Sequence, residues 1–176
     1  LRSAVDDAMP ERDAAERLAE SRDSEVVATY LRRAGNPLGK AREGSRYATD
    51  HAERGIGAYA AVEAARARCH LRGYRRVVEG VDADELRDGV DPAALFEAKR
   101  RVVRRVRDGL SDPDPLVGWL VDEPARLLYA GEVYLEPDTI VDDRTNARAI
   151  CLSFYRHALG YAEAVPGVAR RLERRG

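Results

Sequence analysis

Lysine is nearly missing from this sequence. It occurs only at Lys40 and Lys99, so almost all of the 30 basic residues are arginine. Arginine codons are GC-rich, and codon composition accounts for the imbalance without any mechanism. Cysteine is scarce as well: Cys69 and Cys151 stand alone. Two lone cysteines exclude a zinc ribbon and a disulfide framework. Both fall on the apolar faces of expected helices, where they read as reduced, buried thiols in a cytoplasmic protein.

Other absences narrow the choice further. No apolar run approaches the roughly 20 residues of a membrane span, and no signal peptide is visible, so no membrane partner is expected. Aromatic residues make up 6% of the chain. No stretch shows period-2 alternation, which removes a sheet from the expected fold. Gly55-Ile56-Gly57 lies within a helical pattern, away from any strand, so no phosphate-cradling loop exists. No serine sits in a strand-to-helix elbow. Asp82, Asp84 and Asp88 imitate a calcium loop, but Arg87 stands where its glycine must be and Ala93 where its closing glutamate must be.

What is present favours helix. Ala, Arg, Glu, Asp and Leu dominate, and charged residues reach 35%. The 30 basic and 31 acidic residues leave a net charge of -1, so the global balance recruits neither nucleic acid nor membrane. A length of 176 residues fits one domain with a real core. The expectation is a single all-α domain over 1–176, a bundle of five to six helices with mostly antiparallel neighbours. The chain opens on Leu1 without methionine, which leaves room for an upstream domain. A helix-pair repeat would show a period near 34 residues. The alanine and tyrosine spacing of Ala52 to Ala65 finds no second copy.

The bundle is expected to form around one long helix from Gly39 to Glu79. At 100° per residue, Ala48, Ala52, Gly55, Tyr59, Val62, Cys69, Gly73 and Val77 share a side, widened by Ala58 and Ala65. Asp50, Arg54, Arg68, Arg72 and Arg75 gather opposite and face water. Gly55 and Gly57 read as glycines tolerated for close packing, or as a bend. Gly44-Ser45 offers a second helix start.

Elsewhere, a helix or pair of helices is expected over Pro10–Ala34, stopped by Gly35-Asn36-Pro37. Asp91-Pro92 is an N-cap followed by an N1 proline, opening a helix to Gly109 with Leu95, Val102, Val103, Val106 and Leu110 inward. Asp114-Pro115 repeats the signal for a short helix, Leu116 to Val121, that carries Trp119. A restart at Asp122–Pro124 leads to a helix over Ala125–Leu135, and Thr139 to Val141 is an extended link. The last helix begins near Asp143 and bends or stops at Pro166-Gly167.

Two constellations could carry function. Tyr59, Glu63, Arg66 and His70 place polar groups on the apolar arc at spacings of 4, 3 and 4. Ionised groups in a core must be compensated. The arc is thus either an internal network or a pocket in which Glu63 and His70 transfer protons or bind a ligand. Metal is not expected there: residue 67, three before His70, is Ala, and neither His157 nor His51 has a glutamate three before it. His157 reads as a half-buried packing residue. No cofactor is expected.

The second constellation is basic. Lys99, Arg100, Arg101, Arg104, Arg105 and Arg107 cover the outer face of the helix after Asp91. Arg170, Arg171, Arg174 and Arg175 form another cluster. A phosphate backbone would suit such a face. No aromatic residues interleave it to stack bases. Segregated charge with a near-zero total suits a protein partner or self-association at least as well. The leading expectation is therefore a non-catalytic interaction or regulatory module. A nucleic-acid-binding module and an enzyme with the polar arc as its site stand as rivals.

Overall fold

The computed structural model describes residues 25–33, 35–80, 90–109, 115–136 and 144–173, with residues 13, 17 and 86 singly. Among them the chain is all-α: α1 (Glu25–Arg32), α2 (Gly35–Glu53), α3 (Gly57–Glu79), α4 (Pro92–Gly109), α5 (Pro115–Glu132) with a 3-10 turn at Val133–Leu135, and α6 (Arg144–Glu173). The bundle expected from periodicity is what forms. Its axis is α6, which packs against α1, α3, α4 and α5, while α2 lies chiefly on α3.

The single helix expected over Gly39–Glu79 is two. Gly55 adopts φ +75, the Ile56 amide donates to the His51 carbonyl at 2.9 Å, and the Gly55 amide donates to the Ala52 carbonyl at 3.0 Å. These paired bonds are the Schellman stop, which needs a left-handed residue and so selects glycine. Ala52 and Tyr59, expected inside, are exposed beside this turn, and Val62 is half-buried. Gly44-Ser45 starts nothing. Helix α2 runs through it, because a Cβ on Gly44 would touch Ala67 and the Glu63 carbonyl, each at 3.2 Å.

Three further boundaries differ. The stop at Gly35-Asn36-Pro37 falls earlier: α1 ends at Arg32, and Pro37 sits in the first turn of α2, where its missing amide costs no helical bond. Pro124 lies inside a continuous α5, and Pro166 inside a continuous α6. Each removes one backbone hydrogen bond. Buried residues on both sides hold the helices together regardless: Leu120 and Leu127 about Pro124, Val165 and Val168 about Pro166. The start at Asp91-Pro92 is as expected, with Asp91 Oδ1 accepting from the Ala93 amide at 2.9 Å. The expectations over 10–24, 81–91, 110–114 and 139–141 lie largely or wholly outside the described residues.

Two apolar clusters line α6. The first gathers Val27, Tyr30, Leu38, Leu71, Tyr74, Val77, Leu95 and Leu152, and the second Ala65, Cys69, Val102, Leu120, Leu127, Tyr161 and Val165. Cys69 and Cys151 are buried free thiols, and burial pushes them up to about 12 and about 11. No described helix is long and apolar enough to cross a membrane.

Candidate functional site: a buried histidine pair and an arginine-rich face

Helix α3 descends past α6 in the opposite direction, and glycines set the distance between them. A Cβ on Gly73 would lie 2.3 Å from His157 Cδ2 and 2.9 Å from the His157 carbonyl. The bare glycine admits the imidazole into the seam. His70, on the previous turn of α3, meets it there. Its Nδ1 stands 3.0 Å from His157 Nε2, within hydrogen-bond distance, and the two side chains are 0% and 3% exposed. Tyr161 completes the group, its ring edge-on to His70 at 4.9 Å. The pair lies between the two apolar clusters.

Burial drives both rings toward the neutral form. The nearby His157, Lys40 and Arg66 add to this at His70, which falls to about 2, and Lys40 adds to it at His157, which falls to about 3. Lys40 is itself held by Glu123 of α5 at 3.2 Å. One ring therefore donates its single N–H to the other. That leaves His70 Nε2 without a partner among the described residues, and Glu63 Oε2 and Tyr161 Oη are buried and unpartnered among them as well. His157, read from sequence as half-buried packing, is the central partner. Its partner on another helix could not be seen by looking along its own.

The other members of the polar arc do not converge on this pair. Tyr59 is 63% exposed and contacts His51, with ring centroids 5.7 Å apart. Eleven residues separate it from His70, about 16 Å along a helix, too far to act on one substrate. Glu63 and Arg66 form no ion pair with each other among the described residues. The ion network that does form involves Arg72, expected to face water, and two residues that the sequence did not single out. Arg72 and Arg76 of α3 grip Glu163 of α6, with Arg76 Nη2 at 2.6 Å and Arg72 Nη2 at 3.0 Å. Burial raises the Glu163 carboxyl, but the Arg76 hydrogen bonds and the charges of both arginines outweigh it and hold the group below its ordinary range. Glu163 gave no sequence signal, because its partners lie 87 and 91 residues away.

The outer face of α4 is largely spoken for by acids. Lys99 bridges to Glu132 of α5, Arg100 and Arg101 reach Glu97 at 3.8 and 3.5 Å, and Arg107 reaches Asp108 at 3.2 Å. Arg104 and Arg105 are exposed and make no ion pair among the described residues. Val103, expected inward, is 51% exposed. The inner stripe is Leu95, Ala98, Val102 and Val106, and Val103 lies 100° off it. Phe96, 68% exposed, and Tyr129, 67% exposed, stand with it outside. Arg170 and Arg171 are exposed too, while Arg174 and Arg175 lie outside the described residues. Among the described residues no group of three His, Cys, Asp or Glu could hold a metal ion.

Residues 1–174 match the model of a family described as "Domain of unknown function (DUF8264)", and the chain belongs to that family. No curated protein and no solved structure matches it.

Proposed function

We propose that this chain is a non-catalytic protein-interaction module whose docking face is the outer surface of α4 and α5. The observation that carries this reading is the exposure of Phe96, Val103 and Tyr129 around one inter-helix bridge. Phe96 and Val103 flank Lys99 by one turn on either side, and Tyr129 lies one turn before Glu132. The Lys99–Glu132 bridge therefore joins the two helices at the level of these side chains. Large apolar residues left in water around a fixed polar pair match the aromatic anchors that dominate interfaces.

The partner's chemistry follows from the rim. Arg100, Arg104, Arg105 and Arg107 surround the apolar residues, so a second copy docking head-on would set arginine against arginine. An acidic segment with apolar anchors is complementary. The enzyme reading loses support because His70 is sealed from solvent and Tyr59 lies far from it. Nucleic acid remains the rival, since Arg104 and Arg105 are exposed and make no ion pair among the described residues.

A photo-cross-linking residue placed at 96 or 129 in cells tests the proposal, with position 39 as an exposed control. The expected result is a discrete protein adduct at 96 and 129, absent at 39 and lost when Arg104 and Arg105 become Glu, with the contact mapped to an acidic segment. A nuclease-sensitive adduct would favour the rival. No adduct above the control would remove the face as an interface.

A further inference from the structure

We propose that the His70–His157 pair is a proton-operated latch, holding the α2–α3 hairpin on α6 while both rings are neutral and releasing it in acid. The geometry carries the argument. The pair spans the seam between α3 and α6 at 3.0 Å, with neither side chain in water. Helix α2 packs chiefly on α3, so the hairpin is attached to the rest of the bundle mainly through this seam. Among the described residues no carboxylate hydrogen-bonds to either ring.

Charged and titratable groups face the pair and the adjoining Tyr161, and of these Lys40 and Arg66 act on the rings themselves. Helix α2 presents Lys40, and Arg33 just before it lines the same small cleft as His157. Helix α3 presents Glu63, Arg66 and the Cys69 thiol, α5 presents Glu123, and α6 presents the Tyr161 hydroxyl. Glu123 is committed to Lys40 and Glu63 hydrogen-bonds to neither ring among the described residues, so the charges acting on the pair are the cations Lys40 and Arg66. Two added protons would also set N–H against N–H at the central contact.

The closed seam therefore excludes protons that an open seam accepts. An opened histidine titrates near its ordinary value of 6.5. The folded values lie below it, so the latch is fully effective above 6.5 and weakens as the pH falls. With both rings neutral when closed, lowering the pH from 7 to 5 raises the open-to-closed ratio about 600-fold.

The test is amide hydrogen exchange at pH 7 and pH 5, corrected for intrinsic exchange rates, on the chain carrying His51→Asn so that only the pair can titrate as histidine. Amides of α3 between 67 and 77 and of α6 between 152 and 165 should gain opening by several hundredfold, with smaller changes in α4 and α5. The double variant His70→Asn/His157→Gln keeps an amide donor and acceptor at the two positions without a titrating ring, and its seam should not respond. Equal protection at both pH values overturns the proposal. So does an equal response in the double variant, or uniform loss throughout α4 and α5, which would be general acid unfolding. Ring 15N signals of the two histidines decide the matter independently should the double variant not fold. Followed down to the pH at which the rings protonate, protonation that accompanies seam opening supports the latch, and protonation of either ring under an intact seam overturns it.

Discussion

Gly160 of α6 lies so close to Arg72 of α3 that a Cβ there would stand 2.6 Å from the Arg72 carbonyl oxygen, with the Gly73 Cα at 2.8 Å. Both obstacles are backbone and cannot rotate away. Gly160→Ala should therefore push the two helices apart and cost about 1–3 kcal/mol or more. Gly39 is the internal control, since nothing lies within 4 Å of its added Cβ. Gly39→Ala should stabilise by about 0.5–1 kcal/mol through helix propensity alone. Denaturant midpoints of the two variants should move in opposite directions.

Glu163 offers a charge test of the same seam. Its arginine partners are 36% and 37% exposed, so screening limits the contact, and Glu163→Gln should cost about 1–2 kcal/mol at pH 7. The carboxyl is held below its ordinary value of 4.5. Its contribution is thus complete above that value and disappears as the pH falls through the lower folded one. The gap between wild type and Glu163→Gln should close at a pH below 4.5 that protonates the folded carboxyl. A gap unchanged at that pH would mean the arginines do not act through the carboxylate.

Glu63 and Arg66 are neighbours on α3 without an ion pair among the described residues. A double-mutant cycle with Glu63→Gln and Arg66→Met should give a coupling below about 0.5 kcal/mol, the level of independent sites. A coupling of 3 kcal/mol or so would instead reveal the compensated buried pair that the periodicity of α3 suggested.

The exposed arginines of α4 contribute little to folding. Arg104→Gln/Arg105→Gln should leave the thermal midpoint nearly unchanged, within about 0.5 kcal/mol. Gel shifts at low salt should show no binding of duplex DNA by either protein. Binding by the wild type with a steep salt dependence would revive the phosphate-backbone reading.

Local chemistry was the legible part of this fold. Asp91-Pro92 announced a helix start because cap and proline act on adjacent amides, and the charged outer face of α4 followed from spacing alone. Gly55 reads from sequence as either close packing or a bend, because a glycine inside an apolar pattern looks alike in both, and the structure makes it a left-handed helix stop. Pro124 and Pro166 were overread for the converse reason: tertiary burial around them outweighs one lost hydrogen bond. The candidate site lay beyond reach. His70 was conspicuous on its own helix, but its partner is 87 residues away, and nothing local marks one histidine as the complement of another.

Helix α6 follows in sequence every helix it packs against. During synthesis, α1, α3, α4 and α5 are made before their common partner exists. At roughly 5–20 residues per second, making its 30 residues takes about 2–6 s. Through that interval the buried faces of Tyr74, Val102 and Leu127 have no helix to cover them. A nascent chain paused before Arg144 is therefore a substrate for chaperones, and a ribosome slowed within α6 extends that exposure in proportion.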